Sequence, residues 1–369
     1  MTQSQTCLEA VREFFASRPS VLEWGIAPAR KNPNADRLRT WVDHGYHGTM
    51  EYMAAHMRDR MDPQAFHPWA ESAVVFAFPY ARPLGGDASP NGSAPDNKGL
   101  RYRVSAYAGA KDYHDKARTL LREAETFLKE RTGRSDLAFY GFVDTAPVFE
   151  RDLASEAGLG WRGKNCCTLN RTHGSAFHLA GFFLDTALPS STPLEEFCGG
   201  CTRCIDQCPT QAFTGPGQLD ANKCISYWTI EAKIEPPPDL AKQFGGWIFG
   251  CDICQEVCPW NHKHIRGPSP SVEMDPAIQD DFFPVDGTAW LSLLRKGGGF
   301  QSRFKGSPLT RAGRKSMLRN VSVAAANLAD TALLQPLLDL LPGEDDIMVR
   351  REIEIAITRL KTLLEIRGT

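Results

Sequence analysis

Eight of the eleven cysteines in this 369-residue chain fall in two runs and one linking position, and together they dictate how its middle must fold. The runs read Cys198-x2-Cys201-x2-Cys204-x3-Cys208-Pro209 and Cys251-x2-Cys254-x3-Cys258-Pro259, with Cys224 between them. In the bacterial two-cluster pattern, three closely spaced thiolates of one run hold one cubane, and the fourth, ahead of proline, reaches across to the other. The second run has Ile248 where its first cysteine is due. One [4Fe–4S] site therefore takes Cys198, Cys201, Cys204 and Cys258. The other takes Cys208, Cys251 and Cys254, and Cys224 is the nearby thiol left to complete it. A disulfide framework would need an oxidising compartment and usually a small chain. Zinc is the stronger rival, because isolated C-x2-C pairs often form tetrahedral sites, but the overlapping triple spacing before Cys-Pro is not that of a zinc finger. Cys7, Cys166 and Cys167 stand outside the pattern and read as small apolar residues.

A ferredoxin-sized module fills a small part of such a chain, so two or three domains are expected. The N-terminus, MTQSQTCLEAVREFF, lacks the features of a signal peptide, and no segment reaches the apolar length of a membrane span. A reducing cytoplasm is the expected setting. The net charge of -2 argues against a dispersed nucleic-acid coat. Its distribution reopens the question. Arg295, Lys296, Arg303, Lys305, Arg311, Arg314, Lys315 and Arg319 fall in one stretch without an Asp or Glu. Such a block is either an electrostatic footprint for phosphate or a solvated helix face beside a glycine stretch.

Helical spacing of Leu8, Val11, Phe14 and Phe15 marks a first helix over 7–17. The run AVVFAFP (73–79) has the length and content of a buried strand, and the glycine- and proline-rich 84–99 stretch is a long loop. DKARTLLREAETFLKERTG (115–133) is an amphipathic helix stopped by Gly133. LAFYGFV (137–143) and AFHLAGFFL (176–184) read as further strands, giving a mixed α/β region. After about 305 the pattern is wholly helical, in antiparallel pairs similar to HEAT-type repeats that must dock on the rest of the chain.

A second chemical centre lies in FYGFVDTAPVFERDLASEAGLGWRGKNCCTLN (139–170). Asp144 ends an apolar strand, where it either caps the helix that follows or, buried beside aromatic rings, has a raised pKa and donates protons. GLGWRGKN (158–165), with Arg162 and Lys164, can bring backbone amides to an anion, although a lone glycine turn is a weak signal. His114 reads as a structural or polar-surface residue. The chain contains no dinucleotide fingerprint, no P-loop and no D-x-H-x-x-G segment.

DYH (112–114), VDTAPVFERDLASEAGLGWRGKN (143–165), CGGCTRCIDQCPTQAFTGPGQLDANKCISYWTIE (198–231) and GCDICQEVCPWN (250–261) closely resemble epoxyqueuosine reductases, in order and separation. The resemblance covers nearly the whole chain. It implies an α+β multidomain protein: a nitroreductase-like cobalamin-binding α/β domain (1–190), a two-cluster bacterial ferredoxin-like module (191–265), and a linker with a HEAT-like helical region that binds tRNA (266–369). It also implies the last step of queuosine synthesis, reduction of the wobble-position epoxide to the alkene, with two [4Fe–4S] clusters and base-off cobalamin. Asp144 falls on the proton-donor position, which tips the earlier balance. Arg60, Tyr107, Asn165, Thr168, Ser226 and Asp252 become corrin-pocket candidates. Lys223, Arg311, Arg314 and Lys315 become tRNA contacts. The implied partners are tRNA bearing epoxyqueuosine in its anticodon and an external low-potential electron donor, the protein being a cytoplasmic monomer. A reductive dehalogenase-like enzyme and a ferredoxin-type electron carrier are the rival readings. Cys166-Cys167 and the long 84–99 loop depart from the family pattern.

Overall fold

The computed structural model describes residues 2–80, 84, 102–109, 111–262, 282–284 and 286–368. Apart from Leu84, the loop expected over 84–99 lies outside the described residues. Thr2 and Gln5 form a reciprocal capping box that opens α1 (Gln3–Ala16), so the helix begins where its first amides find side-chain acceptors. Four strands follow along the chain: β1 (Glu23–Pro28), β2 (Ser72–Pro79), β3 (Phe139–Val143) and β4 (Phe177–Leu184). They form one sheet in the order β1-β2-β4-β3, with every pairing antiparallel. β1 escaped the sequence reading because EWGIAP carries Gly25 and Pro28, which dilute its strand signal.

Both faces of this sheet are covered, which is why β2 reads as an unbroken apolar run rather than an alternating one. One face brings Val74, Phe76, Phe78, Ala180 and Phe182 against α1 and α2 (Tyr113–Thr132). Cys7 is buried in this layer, in keeping with its apolar reading. Asp112 caps α2, and Gly133 ends it at φ 68°, a left-handed conformation that glycine adopts without steric cost. The other face brings Val75, Phe142 and Phe183 against α3 (Glu150–Glu156) and its flanks, Val148 and Leu159. Asp144 thus leaves the end of β3 between the start of α2 and α3.

The cysteine-bearing segment contains α4 (Ile225–Ile230) and β5 (Trp247–Phe249). β5 pairs in parallel with the short strand Arg103–Val104. The tail then supplies α5 (Gly287–Leu294), α6 (Gly313–Asn327), α7 (Leu334–Leu340) and α8 (Ile347–Gly368). α6 is buried at every position from Ser316 to Ala326, so it is a central strut rather than a surface helix. One apolar cluster joins it to Val104, Ile230, Ile248, Phe249, Trp290 and, from α8, Val349, Ile353, Ala356 and Leu360. Among the described residues no helix is long and apolar enough to cross a membrane.

Arg319 overturns part of the electrostatic reading. Expected as one of eight phosphate-facing cations, it is 1% exposed. Its guanidinium donates to the carbonyls of Ala232 at 2.9 Å, Ile234 at 2.8 Å and Trp228 at 2.5 Å. Asn320 beside it donates to Thr229 and Ile248 carbonyls, both at 2.8 Å. Together they join α6 to the end of α4 and to β5. Burial lowers the guanidinium pKa to about 10. Replacing Arg319 with Leu leaves three carbonyls without donors in the interior, so we expect a loss of at least about 3 kcal/mol, measured by urea unfolding.

Candidate active site and cluster-binding cysteines

The eight cysteines separate into two groups in space. Cys204 and Cys258 lie within electrostatic reach of Cys198, and Cys258 also of Cys201. Cys251 interacts with Cys224 and Cys208, and Cys254 with Cys251 and Cys224. Each group draws on both runs, and Cys224 falls with Cys208, Cys251 and Cys254. All eleven thiols are free of disulfides. Among the described residues no three Cys, His, Asp or Glu side chains close on a point as ligands of one ion would.

The chain also prepares these thiols for negative charge. Burial raises the Cys224, Cys251 and Cys258 thiols, and backbone amides oppose it. Those of Ser226 and Tyr227 favour the Cys224 thiolate, that of Ile253 the Cys251 thiolate, and those of Trp260 and Asn261 the Cys258 thiolate. Ala212 donates its amide to the Cys208 sulfur at 3.3 Å. Such amide-to-sulfur bonds suit a cluster ligand, whose charge must be held away from water. Lys164 and Arg162 are not left to bind an anion. Lys164 donates to the carbonyls of Gly199 at 2.6 Å and Cys201 at 3.1 Å, bracing the first cysteine loop. Arg162 pairs with Asp152 at 3.3 Å and donates to Gly217.

A second centre faces the Cys254 side. The Asp144 side chain is 46% exposed and that of Arg151 58%, yet desolvation is the largest influence on both. Both side chains are thus partly exposed yet densely surrounded, as the lining of a cleft would be. Tyr80, Tyr107 and Cys167 carry the same mark, and burial pushes the Cys167 thiol up to about 12. Tyr80 senses Cys167, Asp252, Arg151 and Tyr107; Tyr107 in turn senses Asp144. Cys254 senses Cys167, so the pocket runs from Asp144 to one cysteine group.

Asp144 does not have the raised pKa expected from burial. Burial does oppose its charge, but His114 and Tyr113 outweigh that and hold the carboxyl below its ordinary value. His114 Nε2 lies 2.8 Å from Asp144 Oδ1 as an ion pair whose angle makes no hydrogen bond, and the Tyr113 hydroxyl donates to Oδ2 at 2.5 Å. His114 Nδ1 lies 2.6 Å from Asp112. Burial alone would lower the imidazole; its bonds to Asp112 and Asp144 instead push it up to about 9. Near neutral pH the arrangement is thus two carboxylates clamping an imidazolium. Tyr113 stacks on His178 at 4.0 Å, and burial pushes that second imidazole down to about 3, so it stays neutral. Sequence reasoning left His114 as a structural or polar-surface residue, without its pairing to Asp144. The available signal was Asp112-Tyr113-His114 opening a helix directly before Asp144 in space.

The other candidates divide by what holds them. Arg60 and Thr168 are buried, at 7% and 5% exposure, and Arg60 Nε and Thr168 Oγ1 have no hydrogen-bond partner. Asn165 spans the Cys254 carbonyl and the Cys167 amide. Asp252 is fixed within the protein, accepting from Ser105 Oγ at 2.6 Å, the Ala106 amide at 2.7 Å and Gln255 at 3.0 Å. Ser226 contributes its amide to Cys224, and Lys223 is exposed beside it. Arg311, Arg314 and Lys315 are ion-paired with Glu231, Glu344 and Asp346 at 2.6, 2.8 and 2.9 Å. Lys296 pairs with Asp345 at 2.5 Å. The basic block is therefore largely neutralised by acids from elsewhere in the chain.

Residues 60–145 match the family described as Epoxyqueuosine reductase QueG, DUF1730, and residues 197–261 match a 4Fe-4S double cluster binding domain. Epoxyqueuosine reductase of Xanthomonas campestris pv. campestris is 36% identical over 339 residues, covering 91% of each chain. That of Pseudomonas aeruginosa is 38% identical over 341 residues, covering 91% of this chain and 90% of the relative. The chain belongs to the epoxyqueuosine reductase family. The solved epoxyqueuosine reductase of Bacillus subtilis superposes with a TM-score of 0.84 at 27% identity, covering 97% of this chain and 91% of the other. An epoxyqueuosine reductase structure holding an epoxyqueuosine-modified tRNA stem loop superposes at 0.79, with 26% identity and 98% and 100% coverage.

In this epoxyqueuosine reductase family member, two measurements check the site. The His114 imidazolium, raised above its unfolded value of about 6.5, contributes stability that is complete below that value and lost as pH rises through about 9. An NMR titration of His114 should show a midpoint near 9 that falls in Asp144→Asn. Cys224→Ala removes one sulfur of the Cys208, Cys251 and Cys254 group, so EPR of the reduced protein should lose one cluster signal and keep the other.

Proposed function

We propose that this protein reduces the epoxide of epoxyqueuosine at the tRNA wobble position, and that Asp144 passes the proton to the opening oxirane. The observation that carries this is the Asp144–His114–Tyr113 constellation on one wall of a pocket whose other side meets the Cys254 group. The double-cluster domain supports cluster binding through Cys198, Cys201, Cys204 and Cys258, and through Cys208, Cys224, Cys251 and Cys254. Among relatives, the Bacillus subtilis reductase has been seen with an aspartate-bearing catalytic loop swung out of its active site.

Base-off cobalamin is the organic cofactor this reading assigns to the pocket. Arg60 Nε and Thr168 Oγ1 leave buried polar atoms unpartnered, which suits a macrocycle rimmed with amide side chains. Arg60, Thr168, Asn165 and Tyr107 are the residues that would hold it, with Ser226 and Asp252 bracing the wall behind. Bound there, a corrin supplies a strongly reducing cobalt centre, and the clusters supply electrons singly.

The overall change consumes two electrons and two protons and releases the oxirane oxygen as water. The protein's own contribution is the proton path. Asp144 is ionised at rest, so it cannot be the store. His114 holds the proton on Nε2, ion-paired with Asp144 Oδ1 at 2.8 Å but not aligned for a hydrogen bond, so the ring has to turn before it hands the proton on. As negative charge grows on the substrate oxygen, the proton moves through the carboxyl toward it and Asp112 stabilises the ring that remains, while the second proton, which completes the departing water, comes from solvent. Tyr113 fixes the second carboxyl oxygen and keeps the first aimed. The aromatic wall of Tyr80, Tyr107 and Tyr113 limits water around the reacting atoms.

On this reading residues 1–190 form the nitroreductase-like corrin domain, 191–265 the ferredoxin-like module and 266–369 the linker and HEAT-like region. The sheet core supports the first division, whereas the core of the tail also takes in Val104, Ile230, Ile248 and Phe249 and so bridges all three ranges. The exposed cation Lys223 is the tRNA contact with least internal competition, followed by Arg311 at the pocket edge. The protein would work in the cytoplasm as a monomer, fed by an external low-potential donor.

Anaerobic turnover of epoxyqueuosine-containing tRNA with and without cobalamin, read by nucleoside mass spectrometry, is the decisive test. Cobalamin-dependent loss of one oxygen is expected, and its absence in protein holding both clusters and corrin would reject the reading. Asp144→Asn should lower turnover by at least about 100-fold while both clusters and corrin remain bound.

A further inference from the structure

Glu231, Arg311 and Tyr52 arrive at the pocket edge from three separate parts of the chain. Glu231 caps the C-terminal end of α4, Arg311 ends the short 3-10 segment Pro308–Arg311, and Tyr52 lies in the short helix Glu51–Ala55. Arg311 Nε donates to Glu231 Oε1 at 2.6 Å. The Glu231 side chain is 23% exposed and that of Arg311 48%, so neither is sealed inside. Both act on Tyr52 and on Tyr107, and Arg311 also reaches Asp144. The trio therefore lies within electrostatic reach of Tyr107 and Asp144, on the side of the chain that carries the proton path.

The frame behind it is rigid. The Lys233 ammonium donates to the carbonyls of Ile230 at 3.0 Å, Arg311 at 3.2 Å and Ala312 at 2.9 Å, tying the end of α4 to the segment carrying Arg311. A carboxylate and a guanidinium held side by side offer adjacent acceptors and donors. A guanine-type base presents the complementary edge: N1–H and the 2-amino group donate, and O6 accepts. Replacing N7 by carbon, as in a 7-deazaguanine, leaves that edge unchanged. A half-exposed tyrosine alongside supplies a face for stacking, as base-flipping and RNA-binding sites commonly do.

We propose that Glu231 and Arg311 read the Watson–Crick edge of the wobble base, with Tyr52 against its face, and thereby set the substituent on the opposite side of the base toward Asp144. This rests on the reading of the pocket as one that admits a tRNA wobble nucleoside. Glu231 accepts from N1–H and the 2-amino group while Arg311, oriented by that same carboxylate, donates to O6. The pair is a specificity device, distinct from the proton path and the cysteine groups.

Direct binding separates this from the reductase reading, because the probes contain no epoxide. Anticodon stem loops carrying guanosine or inosine at position 34 differ only by the 2-amino group. Measured by fluorescence anisotropy on the full chain with its clusters, wild type should prefer guanosine by about tenfold, the order expected for one hydrogen bond to a charged acceptor. Glu231→Gln should erase that preference while leaving cluster absorbance unchanged. Equal wild-type affinity for the two loops overturns the proposal, even if Glu231→Gln fails to fold. A preference retained in Glu231→Gln overturns it as well. A guanosine preference without epoxide reduction would keep the base-reading site and reject only the assigned chemistry.

Discussion

A buried polar seam joins the cysteine module to the sheet domain, and the pocket exists because that seam holds. Asp252, 2% exposed, accepts from Ser105, Ala106 and Gln255. Gln255 then meets Ser175 at 2.9 Å, and Asn261 bonds both Ser175 and the Gln255 carbonyl. Ser175 lies just ahead of β4, while Asp252 and Gln255 lie between the cysteines of the second run. Hydrogen bonds in a low-dielectric interior are directional and costly to leave unmade, so such a chain of partners permits one docking geometry. Apolar contact alone would tolerate sliding. Here a slip would separate Tyr107, two residues beyond Ser105, from the Phe249 ring just ahead of the second cysteine run.

The same constraint explains why proton chemistry and thiol chemistry share one cavity. Asp144 is delivered by the end of β3 and His114 by the first turn of α2, both elements of the sheet domain. Cys254 comes from the module on the other side of the seam. Cys254, Cys167, Arg151, Tyr80 and Tyr107 follow one another across that boundary, each within electrostatic reach of the next. Cys167, outside the cluster pattern, is a neutral thiol in this wall, which agrees with its reading as a small apolar residue. Cys166 beside it takes a positive φ of 67°, and Arg151 donates to its carbonyl at 2.9 Å. The turn after Asn165 is bent so that the following residue faces the cavity.

The double-cluster segment was legible because cluster binding depends on residue type and spacing, both of which a sequence displays. The buried strands were legible for the same reason: Ser72–Pro79 and Phe177–Leu184 announce burial on both faces by their composition. Ionisation was not. Whether Asp144 is raised or lowered depends on His114, thirty positions earlier, arriving within 2.8 Å. Desolvation could be anticipated from aromatic neighbours in sequence, but the opposing cation could not. The basic block failed in the same way. Its eight cations have no acidic neighbour along the chain, yet Glu231, Glu344, Asp345 and Asp346 reach four of them through folding.

Arg319 shows what the rest of that block is for. A cation buried this deeply loses hydration worth several kcal/mol, and a well-packed apolar residue would often serve stability as well. What an apolar residue cannot do is terminate α4. The carbonyls at Trp228, Ala232 and Ile234 are the unpaired ends of that helix and its exit, and they need donors wherever water is excluded. Cys224 sits at the opposite end of the same helix, at its N-cap. The helical tail therefore reaches the cysteine group through a six-residue helix whose two ends are fixed by different parts of the chain. With Asn320 holding Thr229 and Ile248, α6 becomes the backing against which both Cys224 and Cys251 are presented, and the tail is a structural part of the cysteine module rather than an appendage to it.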